Sequence, residues 1–323
     1  MKTLKTIFSL LLIYLILLCL AGCSSGRQED VSPSSENVEM TQADDDTLLI
    51  ETDLISDDPD PEPVNPEPAP EGAALIIYGD AVDSQTNWTL EDLQALTDGY
   101  REITYSTTNN WPSFSYMTGH GVSIPYLLEL AGMHPSAATF VFISPDGYKA
   151  VLTKEQLFGA MYSYAEHSAS GSGGETQVEA IIAWEWGDGG EAEPGYLRPL
   201  FGQRGPYETN SAASVKDLYR IEVSARKSES WSVPEASVDS GSQVAKGTGI
   251  EFTHPNIDNV RLYYTLDGSE PDYLSEVYNR SATYFQPDLI IPITIDKDIT
   301  VKIFAGGIGK EDSPVVVFTY TVS

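Results

Sequence analysis

From Ser24 to Gly72 the chain carries no aromatic residue, and acids and prolines crowd its last stretch, "DPDPEPVNPEPAPEG". Low hydrophobicity with high charge cannot offset the entropy of ordering a chain, so this segment is predicted to stay outside any core. Its alternating prolines favour extended polyproline II, and its acids repel one another. Residues 23–72 therefore read as a disordered acidic tether. Folding is confined to the roughly 250 residues after it, room for two domains.

Ahead of the tether, Lys2 and Lys5 precede an almost wholly apolar run from Ile7 to Leu20. That is the pattern of a secretory signal, short for a membrane-spanning helix. It ends in Leu20-Ala21-Gly22-Cys23, which resembles the lipobox of bacterial lipoproteins. The resemblance implies removal of residues 1–22 and acylation of Cys23. The expected location is the cell membrane, lipid-anchored and facing outside the cytoplasm. Acyl chains contribute about 0.8 kcal/mol per buried CH₂, so several on one residue hold a protein firmly.

Cys19 and Cys23 are the chain's two cysteines. Once Cys19 leaves with the signal and Cys23 carries lipid, the body has no disulfide, thiolate nucleophile or thiolate metal ligand. The formal net charge of −30, from 48 acids against 18 Lys and Arg, exceeds what the tether supplies. An acidic body argues against nucleic acid as a partner.

Residues 73–228 read as a first domain. "AALIIYG" suggests a buried strand, and Thr89 can cap a helix through "LEDLQAL", with Glu91 and Asp92 in its first turn. "REITYSTT" is a further strand, and "GVSIPYLLELAG" a short helix stopping at Gly132. "ATFVFISPDGYKAVLT" suggests a hairpin turning at Asp146-Gly147. "KEQLFGAMYSYAEH" looks helical, "VEAIIAWEWG" like a strand buried on both faces, and "VKDLYRIEVSA" like a closing strand. Mixed connections of this kind predict an α+β fold.

The order of "TLEDL", "GVSIPYLLELAG", "SPDGYKAVLT", "GYLRPLFG" and "VKDLYRIEV" resembles the oxidoreductase molybdopterin-binding domain of sulfite-oxidase-like proteins. The resemblance implies a cleft for a molybdenum–molybdopterin cofactor and a cysteine that binds the metal. At the matching position, in "REITYSTTNNW", stands Ser106. A serine hydroxyl is a hard, weakly acidic ligand where a thiolate is soft and strongly donating. On the same resemblance His120 would lie at the cleft, Arg198 in a loop near the cofactor, and Lys216 at a pterin phosphate. The expectation is loss of the cofactor, with a molybdenum enzyme using a non-cysteine ligand as the alternative.

No HExxH spacing or Gly-x-Ser-x-Gly elbow is present. Trp184 and Trp186 in "AWEWGDGG" could form a rim on which a ligand stacks, or face opposite sides of a strand.

From residue 229 to 323 helix signals nearly vanish. "GIEFTH", "VRLYYTLDG", "LIIPITI", "ITVKIFAGG" and "VVVFTYTV" are short strands between Gly, Asn, Asp and Pro turns, which predicts an immunoglobulin-like sandwich. "LYYTLDGSEPD" with "DSPVVVFTYTV" resembles the fibronectin-III-associated module also found at the C-terminus of chitobiases and β-hexosaminidases. Tyr263, Tyr264 and Tyr278 are expected to brace it. The combined expectation is a cell-surface lipoprotein acting as a non-catalytic binding or interaction scaffold. Its candidate partners are a cell-wall glycan or an envelope protein.

Overall fold

The computed structural model describes residues 64–111, 113–164 and 175–323. The signal, Cys23, the tether up to residue 63 and most of the glycine-rich stretch 169–177 lie outside the described residues. The described residues belong to one compact unit.

The first strands are β1 (Leu75–Tyr78), β2 (Thr86–Trp88), β3 (Tyr100–Thr108) and β4 (Phe114–Ser123). They continue with β5 (Thr139–Ile143), β6 (Lys149–Thr153), β7 (Met161–Tyr164) and β8 (Glu175–Val178). Then come β9 (Ile181–Asp188), β10 (Glu193–Leu200) and β11 (Arg220–Ser224). One sheet runs β2-β1-β11-β5-β6, a second β10-β9-β4-β3, and β7 pairs with β8. The closing strand β11 lies parallel to β1, and the remaining pairs are antiparallel. The main core fills with Phe140, Phe142, Ile221 and Val223 of the first sheet and Val122, Ile182 and Trp184 of the second.

The α+β expectation is overturned. Among the described residues three short helices stand against twenty strands: α1 (Leu90–Ala95), α2 (Ile124–Leu130) and α3 (Lys154–Phe158). The chain is mostly β, in several small sheets. The helix starts were legible, because Thr89 and Thr153 each form a reciprocal capping box, with Asp92 and Gln156. The helices that these caps open are too short to build an α layer. In "KEQLFGAMYSYAEH" the helix ends before Gly159, and Met161–Tyr164 pairs as a strand with β8. The expected hairpin does form, β5 against β6, with Gly147 at φ 89°.

The C-terminal strands are β12 (Glu235–Ala236), β13 (Gln243–Val244), β14 (Thr248–Ile250), β15 (Phe252–Thr253) and β16 (Arg261–Thr265). After them come β17 (Glu276–Val277), β18 (Ile293–Ile295), β19 (Ile299–Gly306) and β20 (Val316–Val322). The sheet β13-β20-β19-β16-β17 packs with the pairs β14-β18 and β12-β15 around Ile250, Leu262, Ile295, Ile303 and Tyr320. This immunoglobulin-like β part fits the sequence expectation.

His254 is buried at the edge of that core. Its Nδ1 accepts from the Asn256 backbone N–H, and its Nε2 donates to the Ser232 carbonyl. The bond that Nδ1 accepts requires the neutral ring, and with Nε2 donating it fixes the Nε2–H tautomer. Burial holds its pKa below the ordinary value, and the Ser232 bond partly opposes this. A depressed histidine contributes stability that is present above the unfolded pKa of about 6.5 and lost as pH falls through the folded value. His254→Gln is therefore expected to flatten the fall in Tm between pH 7.5 and 5, measured by thermal melts. An unchanged slope would assign the acid sensitivity elsewhere.

Candidate functional site

Ser106 sits on β3, an edge strand of its sheet, and is completely buried. Its hydroxyl donates to Oε1 of Gln203, 2.5 Å away, and accepts the backbone N–H of Tyr164 at 2.9 Å. Its own N–H donates to Ser163 Oγ, and its carbonyl accepts from Asn210 Nδ2. Gln203 continues the network, donating to Thr108 Oγ1 and the Glu208 carbonyl. Ser106 therefore does not face an open cleft: a buried polar group is stable only when paired, and this one is paired throughout.

The other expected site residues lie apart from it. His120, on β4, faces Glu102 on β3 and Glu185 on β9 across the register, and its Nδ1 lies 3.1 Å from the Glu185 carboxylate. Arg198, on β10, donates from Nε to Ser214 Oγ and places its guanidinium 4.6 Å from the centre of the Trp186 ring. Burial lowers its pKa, and Tyr196 and Asp188 oppose that. Lys216 is exposed on the turn before β11, beside Asp217 at φ 56°. None of these four residues hydrogen-bonds to another. Trp184 is buried in the main core, so its ring is no stacking rim; Trp186 packs on a separate small cluster with Tyr105 and Leu200. A bulge in β9 opposite His120 and Gly121 separates the two tryptophans.

A molybdenum–pterin group needs a ligand atom that can reach the metal and converging donors for its phosphate. Ser106 is sealed and internally satisfied, and Arg198 is engaged by Ser214 and Trp186. The residues present do not fit that group. Among the described residues no three His, Cys, Asp or Glu side chains are grouped to hold a metal ion.

The polar apparatus that sequence reading passed over lies where the two sheet systems meet. Arg204 pairs with Glu208 at 2.5 Å and with Asp312 at 3.1 Å, and its guanidinium stacks 4.1 Å above the Tyr273 ring. Tyr273 also donates its hydroxyl to Asp312. Gly205 permits this approach, because a Cβ there would lie 2.0 Å from the Tyr273 carbonyl oxygen. On another side Gln156 donates to the carbonyls of Gly307 and Lys310 and accepts from the Gly309 N–H. The first domain thus grips the sandwich through "QRG" and through α3. The visible signal was a Gln-Arg pair between an apolar run and a Gly-Pro turn.

Beside these clamps is a cleft of about 380 Å³, with Asn110, Tyr148 and Lys149 of the first domain facing Trp231, Asn259 and Lys310. Lys310 is bonded to Glu229 at 2.8 Å and lies over the Trp231 ring. Two lysines, two aromatic rings and two amides suit a small polar ligand with a flat or anionic part. Tyr148, from "SPDGYK", is here; the four residues expected at a cofactor are not.

Residues 250–320 match the family described as Fn3 associated. That match lies inside the sandwich. Among solved structures the chain is similar to sulfane dehydrogenase SoxCD from Paracoccus pantotrophus, at 15% identity, TM-score 0.34, covering 74% of this chain and 68% of that one. A likeness of that size fixes neither fold nor activity. No curated protein matches the chain.

Proposed function

We propose that the protein is a lipid-anchored envelope protein whose first domain is a non-catalytic binding or interaction scaffold, joined rigidly to an accessory sandwich. Acylated Cys23 holds it on the outer side of the membrane, and the acidic segment spaces the folded part from the lipid. The observation that carries this reading is Ser106: at the position where the resemblance places a metal thiolate, the side chain is buried and spent on Gln203 and Tyr164. A group with both its donor and an acceptor committed inside a core holds structure and does not receive a ligand. The partner is a cell-wall glycan or an envelope protein; the acidic charge disfavours nucleic acid.

Protein purified from its native host is expected to contain no molybdenum by elemental analysis. A stoichiometric amount would overturn the scaffold reading in favour of an oxidoreductase. Cys23→Ser is expected to move the protein from the membrane to the soluble fraction. A variant that still sediments with membranes would overturn the lipid anchor.

A further inference from the structure

Trp111, Tyr284 and Phe285 are all exposed, at 48%, 63% and 41%, and none joins a core cluster. They come from opposite halves of the chain. The Trp111 and Phe285 rings meet edge to face at 4.9 Å and 78°, and those of Tyr284 and Phe285 at 4.4 Å and 49°. Three aromatic rings in contact on a surface this acidic need an explanation, since such groups are normally buried.

The triad is held in place from beneath. The Asn110 carbonyl accepts from Ala282 N–H at 3.0 Å and from Ser281 Oγ at 3.2 Å, and its side-chain oxygen accepts from Arg261 Nη2 at 3.3 Å. Trp111 N–H donates to Asn109 Oδ1, and Thr283 N–H and Oγ1 both donate to the Asp258 carboxylate. Arg261 is almost wholly buried, so the strut is not a surface contact. These bonds tie the turn after β3 to the segment after β17 and order the rings before any ligand arrives, which lowers the entropic cost of binding.

We infer that Trp111, Tyr284 and Phe285 form a binding platform for a neutral β-linked glycan of all-equatorial hexopyranose units. This rests on the scaffold reading and gives it a ligand class. Three magnitudes and chemistries select this occupant. Aromatic side chains offer about 150–250 Å² each, so three half-exposed rings present roughly 300 Å². A stable protein interface needs about 800 Å² per partner, far more than the triad supplies, whereas a few sugar units match it. The chain's net charge of −30 repels polyanions and anionic lipid, while a neutral sugar meets no such penalty. An all-equatorial pyranose presents axial C–H groups on both faces, which settle on aromatic rings, and hydroxyls at its rim, which the remaining acceptor capacity of the Asp258 carboxylate can meet. The rings lie in different planes, so they suit a twisted single chain and not a flat crystalline surface.

The test is calorimetric titration of the full-length protein in detergent with two soluble probes, the hexamer of β-1,4-linked N-acetylglucosamine and cellohexaose. At least one is expected to bind. Trp111→Ala and Tyr284→Ala should each weaken it tenfold or more with Tm unchanged. Val317→Ala, an equally exposed apolar residue on β20, should bind like the wild type. No heat from either probe at millimolar concentration would overturn the proposal, as would binding indifferent to both ring variants. So would a Trp111-dependent attachment to phosphatidylcholine vesicles, or Trp111-dependent self-association, without sugar binding. Failure with molybdenum absent removes this platform and leaves the scaffold; molybdenum in the purified protein removes the scaffold whatever the sugars do.

Discussion

Replacing Arg204 by alanine is expected to destabilise the protein by about 3–5 kcal/mol, because removing one partner of a buried ion pair leaves the other charge uncompensated. Two carboxylates depend on this guanidinium. Glu208 is almost fully buried, and burial pushes the Asp312 carboxyl above its ordinary range while Arg204 pulls it back. The Tyr273 ring would also lose its stacked cation. Urea unfolding should show a lower midpoint. Because the cluster sits between the first domain and the sandwich, the transition should also broaden or split. A single transition shifted by less than about 1 kcal/mol, the median for exposed pairs, would show the cluster to be hydrated.

The second large effect is expected at Gln203. Gln203→Leu keeps the volume but removes the acceptor of Ser106 Oγ and the donor to Thr108 Oγ1 and the Glu208 carbonyl. Each buried group left unpaired costs about 1–3 kcal/mol, so a total near 3 kcal/mol or more is expected. The double variant Ser106→Ala with Gln203→Leu should cost less than the sum of the two single variants, since both remove the same Ser106–Gln203 bond, while the Tyr164 N–H freed by Ser106→Ala keeps its own cost. Denaturant melts of the four forms measure the coupling. Strict additivity would mean that Ser106 and Gln203 do not form the interaction on which the scaffold reading stands.

Helix starts and hairpin turns were legible from the chain because they are decided within a few residues. Thr89 and Thr153 cap as their neighbours dictate, and Gly147 takes the left-handed conformation that its Asp-Gly turn requires. Helix length was not legible. Whether Met161–Tyr164 continues a helix or pairs as a strand depends on β8, whose contribution no local propensity contains.

The candidate site divides in the same way. Sequence alone determined that the folded body offers no thiolate, since a missing residue type needs no geometry, and that residues 229–323 form a β part, since short β-branched strands between turns declare themselves. Tertiary structure alone decided that Ser106 is sealed, because Gln203 reaches it from 97 residues away. It likewise decided that Trp111 meets Phe285 and that Arg204 meets Asp312. Polarity and aromaticity state what a residue can do. Contacts between residues far apart in the chain decide which of those capacities is used inside the fold and which is left to face a partner.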